Sequence, residues 1–164
     1  MTRWSLFAAL LIPLVWLAGS ILLNERALSV ASEWRIPIEG YDPRDPLRGR
    51  YISFNYNWAL SGDPAVCGTP ANCRLCLSKA DGRVIATMVP MPAICPHPVD
   101  LQASSLSLRT GFGPGLEPSV SGRIFVSEAS APALEAQLRE KPMQVVAALA
   151  PDGRLVNLRL EPMP

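Results

Sequence analysis

Residues 39–58, EGYDPRDPLRGRYISFNYNW, decide how the chain is read. Pro43 and Pro46 fix their own φ and drive Asp42 and Asp45 toward extended backbone. Asp42-Pro43-Arg44-Asp45-Pro46 is therefore a stiff segment of alternating charge. Leu47-Arg48-Gly49 turns, and Arg50 to Trp58 runs on as a strand. Alternate side chains of a strand take opposite faces, so Tyr51, Ser53, Asn55 and Asn57 share one side and Ile52, Phe54, Tyr56 and Trp58 the other. The second set is a core face, which predicts Tyr56 inside and Tyr51 exposed.

On either side of that stretch the chain breaks into short pieces. Upstream, Trp34, Ile36 and Ile38 alternate with Arg35, Pro37 and Glu39 as a first strand. Pro37 lacks an N–H, which predicts a place at a sheet edge. Downstream, residues 60–72 have the composition of a loop. Arg74–Lys79 and Arg83–Val89 flank Asp81-Gly82, a hairpin turn signal. Residues 90–98 hold four prolines and read as an extended, irregular cover. Leu106 and Leu108 mark a short strand, 111–118 a Gly/Pro loop, and Val120–Val126 another strand. Ser130–Glu140 reads as a short helix with Pro132 in its first turn. Met143–Leu149 and Leu155–Leu160 close the chain as a hairpin on Pro151-Asp152-Gly153. About seven short strands and one short helix predict a mainly-β domain over residues 34–164, a small barrel or a sandwich.

The hydrophobic fraction of 49% is concentrated at the N-terminus. Residues 4–23 carry no charge, and twenty residues of helix span roughly 30 Å, the thickness of a bilayer's hydrocarbon core. Arg3 stands before this run, whereas Glu25 and Arg26 cancel behind it. The positive-inside rule then puts residues 1–3 in the cytoplasm, 4–23 across the membrane, 24–33 as a juxtamembrane segment and the β-domain outside. A cleaved signal peptide is the competing reading. Ala18-Gly19-Ser20 lies inside the apolar run and Ser29-Val30-Ala31 well beyond it, which favours an uncleaved anchor. A net charge of +1 with dispersed basic residues argues against a nucleic-acid partner.

Asp42-Pro43-Arg44-Asp45, followed by Leu47-Arg48-Gly49-Arg50-Tyr51-Ile52-Ser53-Phe54-Asn55-Tyr56, resembles the signature of the GDYXXLXY family of bacterial membrane-anchored proteins. Gly49, Tyr51 and Tyr56 are kept. Phe54 stands at the family's Leu position, a packing variant. Arg50 stands at its Asp position, so no role of that carboxylate carries over. Gly122-Arg123-Ile124-Phe125-Val126-Ser127-Glu128, with Leu134-Glu135 after it, is similar to a second family segment and the short helix that follows. The resemblance runs from about Ile36 to Leu160 and leaves the cysteine-bearing middle unmatched. It implies an inner-membrane protein whose domain lies in the periplasm, a companion of a multispanning membrane protein.

Cys67, Cys73, Cys76 and Cys95 crowd into one loop-rich window. Outside the cytoplasm an even count there reads as two disulfides, with Cys67–Cys73 and Cys76–Cys95 the preferred pairing. Cys73-x-x-Cys76 also has zinc-knuckle spacing, with His97 two residues beyond Cys95, and a redox-active pair is a further alternative. The flanking distances are not those of a compact knuckle, an oxidising compartment removes thiolates, and no helix start adjoins the pair. No metal or cofactor is therefore expected.

His97, the only histidine, sits between Pro96 and Pro98 and reads as an exposed loop residue rather than a catalytic base. No paired carboxylates, phosphate-cradling glycines or Ser–Lys motif appear, so no catalytic residue is assigned. Attention falls on Asp42, Arg44, Asp45, Arg48, Arg50, Tyr51 and Glu128. They are either surface ion pairs pinning a turn, each stabilising by at most about 1 kcal/mol, or a recognition edge of arginines beside tyrosine. The favoured function is a non-enzymatic, membrane-anchored protein that binds a membrane or periplasmic partner. The alternative is an envelope hydrolase using Asp42, Asp45 and Glu128.

Overall fold

The computed structural model describes residues 3–42, 51–62, 72–104, 106–109 and 119–163, with backbone alone for 3–8, 40–42 and 109. The chain opens with α1 (Arg3–Ser29), 27 residues long. Within it Ala9–Ser29 is long and apolar enough to cross a membrane, with mean hydropathy 1.4 and none of it buried. Only Val30 and Ala31 separate this helix from the first strand. The helix continues through Ser29, and Ser32 and Glu33 already belong to the first strand.

The strands are β1 (Ser32–Asp42), β2 (Tyr51–Tyr56), β3 (Ala59–Ser61), β4 (Cys73–Ala80), β5 (Arg83–Pro90), β6 (Pro98–Asp100), β7 (Ser107–Arg109), β8 (Ser119–Phe125), β9 (Met143–Leu149) and β10 (Leu155–Pro162). A second helix, α2 (Ala131–Glu140), lies between β8 and β9 with proline in its first turn. The strands form a six-stranded antiparallel sheet, β10-β9-β1-β2-β8-β7, and a four-stranded sheet, β3-β5-β4-β6. The two sheets are sandwich-like. No ladder joins β10 back to β8 or β7 among the described residues, so the barrel alternative is not the one adopted.

The core lies between the sheets. Trp34, Ile36, Ile52, Phe54, Tyr56, Val120, Ile124, Val145, Ala147 and Leu155 face it from the larger sheet; Leu75, Leu77, Val84, Ala86, Met88 and Val99 face it from the smaller one. Ile52, Phe54, Tyr56 and Trp58 are all buried, as their alternation predicts, although β2 itself ends at Tyr56. The β4–β5 hairpin turns on Asp81 at φ 51° and Gly82 at φ 73°. Two consecutive left-handed residues match the twist of the flanking strands, the reason Asp-Gly signals a tight hairpin.

Two expectations are corrected. The first strand is not an edge: β1 lies between β9 and β2. The Pro37 carbonyl accepts a 2.8 Å hydrogen bond from the Asn57 amide just past the end of β2. The N–H that proline lacks therefore faces the end of a ladder, where no partner strand needs it. Residues 60–72 are not loop throughout, since Ala59–Ser61 pairs in parallel with Ile85–Thr87. A three-residue strand is too short to show a period.

Every residue of β9 is buried. Val145, Ala147 and Leu149 face the core; Gln144, Val146 and Ala148 face the other way and are covered by neighbours. Val146 pairs with Arg35 of β1 and Arg159 of β10. Those arginines reach Glu33 and Glu161 at 2.8–3.7 Å, and Gln144 Nε2 donates to Glu161 Oε1 at 3.0 Å. Arginine stems cover apolar surface while their heads stay wet, so four charges roof an apolar strand.

Candidate functional site

The two stretches that carry the family resemblance are neighbouring strands. β2 pairs antiparallel with β8, with Tyr51 opposite Phe125, Ser53 opposite Arg123 and Phe54 opposite Gly122. The register sends two different sets of side chains to the two faces.

On the inner face, Tyr56 donates from its hydroxyl to Asn157 Oδ1 at 2.9 Å, and Asn157 Nδ2 donates to the Arg123 carbonyl at 3.0 Å. Asn157 belongs to β10, at the opposite end of the sheet order. The larger sheet therefore curls until its first and fifth strands meet through one amide side chain. Tyr56 also stacks on Trp58, ring centroids 4.5 Å apart, and meets Phe54 edge-on at 5.3 Å. Burial pushes its phenol pKa up, with the Asn157 hydrogen bond opposing. A Cβ on Gly122 would lie 2.5 Å from the Tyr56 hydroxyl oxygen. The glycine makes room for the tyrosine.

On the outer face, Tyr51 and Phe125 meet edge-on with centroids 6.2 Å apart, and the Arg123 guanidinium lies 5.7 Å from the Tyr51 ring centroid. Tyr51 is half-buried by these neighbours rather than fully exposed as its alternation predicts. Phe125 is 74% exposed. Aromatic pairs and exposed cation–π contacts contribute only about 0.5–1.5 kcal/mol each, so folding gains little from a phenylalanine left mostly in water.

Of the sequence-predicted residues, Tyr51 lies in this cluster. Glu128 is exposed in the turn after β8 and makes no hydrogen bond or ion pair among the described residues. Asp42 ends β1, its side chain outside what is described; Arg44, Asp45, Arg48 and Arg50 also lie outside the described residues. The carboxylate pairing that a hydrolase needs, Asp42 or Asp45 beside Glu128, thus involves side chains outside the described set. Cys76 and Cys95 are joined in a disulfide, and Cys73 is also disulfide-bonded. Cys67 lies outside the described residues. No group of three or more His, Cys, Asp or Glu side chains that could hold a metal ion occurs among the described residues. His97 is exposed but meets the Trp34 ring edge-on at 5.2 Å.

Sequence reasoning missed Arg123 and Phe125 as members of the cluster, and Asn157 as its brace. Arg123 and Phe125 stand in the second matching stretch, so the signal was present but unpaired. Asn157 carries none, because a bulge between Asn157 and Arg159 sets its facing.

A family model described as GDYXXLXY protein matches residues 13–160. No curated protein and no solved structure matches the chain.

Proposed function

The chain belongs to the GDYXXLXY protein family, and from that premise we propose a membrane-anchored envelope protein that binds a partner protein through the outer face of β2–β8. The anchor is α1, in the bacterial inner membrane, with the N-terminus in the cytoplasm and the β-domain in the periplasm. A spanning-length apolar helix supports this, as do Arg3 before it and a disulfide that needs an oxidising compartment. The partner is a multispanning membrane protein.

The carrying observation is that both signature stretches converge on Tyr51, Phe125 and Arg123, with Phe125 held largely in water. Tyrosine and arginine are among the side chains that most often dominate binding energy, and aromatic residues are enriched at interfaces. Here paired strands hold them in place, which lowers the entropy lost on binding. In the sequence, the segment holding Asp42, Arg44, Asp45, Arg48 and Arg50 immediately precedes Tyr51, and Glu128 follows Phe125 by three residues.

The test is photo-crosslinking of the full-length protein in its native membranes, with a benzophenone amino acid replacing Phe125. One membrane protein should be captured. Its capture from position 53, also on the outer face, should be lost in Tyr51→Ala and Arg123→Ala variants that keep the wild-type melting temperature. Folded variants that capture the same partner undiminished would overturn the reading.

A further inference from the structure

We propose that the loop Met91–Pro96 lies against the headgroup layer of the membrane that α1 enters, with Ile94 as the side chain that inserts. The inference rests on the reading of α1 as an uncleaved anchor.

Ile94 is 99% exposed and Met91 42% exposed. From Pro90 to Val99 there is no Asp, Glu, Lys or Arg. An isoleucine presented wholly to water on an uncharged loop contributes nothing to this fold. Segments that lie on a membrane bury apolar side chains at the boundary between headgroups and acyl chains, and Ile94 is free to do the same.

The loop is built to hold that position. Cys95 is bonded to Cys76 of β4, immediately after Ile94. The Leu77 amide donates to the His97 carbonyl at 3.0 Å, and the His97 ring packs on Trp34. Pro92 and Pro96 fix φ on either side of Ile94. A stiff loop loses little entropy when it docks.

Its place relative to α1 decides the occupant. Pro96, His97 and Pro98 share a hollow of about 220 Å³ with Val30, Ser32 and Pro151. Val30 is the first residue beyond α1. Two residues of chain reach at most about 7 Å, so Ile94 lies within that distance of this hollow. The β9–β10 turn comes down on the same end. Arg154, braced by Asp152 at 2.7 Å, donates to Asn24 Oδ1 at 2.9 Å, alongside the helix five residues before its last. With 27 residues, α1 is about 40 Å long against roughly 30 Å of hydrocarbon, so its last turns stand in the outer headgroup layer. Segments that touch Asn24, Val30 and Ser32 are therefore at headgroup depth. The occupant is the lipid surface itself.

The test uses the full-length chain in vesicles of phosphatidylethanolamine and phosphatidylglycerol, with a benzophenone amino acid replacing one residue at a time. Position 94 should give a mass increase of one phospholipid on illumination. Position 16, on the exposed face of α1, should do so as well. Position 163 should give none, because Met163 lies beyond the end of β10 opposite the turn that meets α1. Lipid adducts at 16 but not at 94 overturn the proposal while leaving the anchor intact. Their absence at both overturns the anchor, and the loop proposal with it. Crosslinking of position 94 to a second copy of the chain, in place of lipid, assigns the loop to self-association and also overturns it.

Discussion

Replacing Gly122 by alanine tests the packing that ties β2, β8 and β10 together. The new Cβ would lie 2.5 Å from the Tyr56 hydroxyl oxygen and 2.8 Å from two ring carbons. These are not the free end of a flexible side chain. Tyr56 is stacked on Trp58, edge-on to Phe54 and hydrogen-bonded to Asn157, so displacing the ring disturbs all three contacts. Overpacking of this kind costs about 1–3 kcal/mol. Losing the Tyr56–Asn157 hydrogen bond adds about 1 kcal/mol. Alanine recovers about 0.5–1 kcal/mol through the lower entropy of the unfolded chain. The net expectation is a loss of about 1–3.5 kcal/mol, or roughly 3–17 °C in melting temperature. The assay is urea unfolding of the full-length protein in detergent, read by tryptophan fluorescence. A double-mutant cycle with Tyr56→Phe, which removes the nearest atom, should show coupling of about 1 kcal/mol or more. A Gly122→Ala protein as stable as wild type, or strict additivity in the cycle, would refute the contact.

Three further outcomes are expected. Tyr56 has its folded pKa raised, so its contribution is fully present below the ordinary phenol value near 10 and is lost as pH rises above it. Wild type should lose stability in that range by about 1.4 kcal/mol per pH unit more steeply than Tyr56→Phe, and equal slopes would count against the buried phenol. The Cys76–Cys95 bridge closes a loop of sequence separation 19, worth about 3 kcal/mol. Four alkylations should appear by mass spectrometry only after reduction, with a clear drop in melting temperature, whereas stoichiometric bound zinc would contradict it. Phe54→Ala, in the centre of β2, should cost about 3–5 kcal/mol and reduce expression, and a near-neutral effect would move Phe54 out of the core.

What the sequence determined by itself was local. Twenty uncharged residues set the membrane-length apolar part of α1, because apolar length is additive along a helix. Alternation over Ile52, Phe54, Tyr56 and Trp58 set the core face of β2, because the period of a strand leaves no other choice. Asp81-Gly82 set the hairpin, because left-handed backbone selects its own residues. The tertiary structure decided everything that depends on which strands meet. Pro37 could sit inside a sheet only because β2 ends beside it, a fact about another strand's length. Phe125 and Arg123 joined Tyr51 because β8 pairs with β2, although the two stretches are separated by more than sixty residues. Asn157 met Tyr56 because the sheet curls across its own width. Pairings of that kind follow from burial summed over the whole chain, and no single stretch carries them.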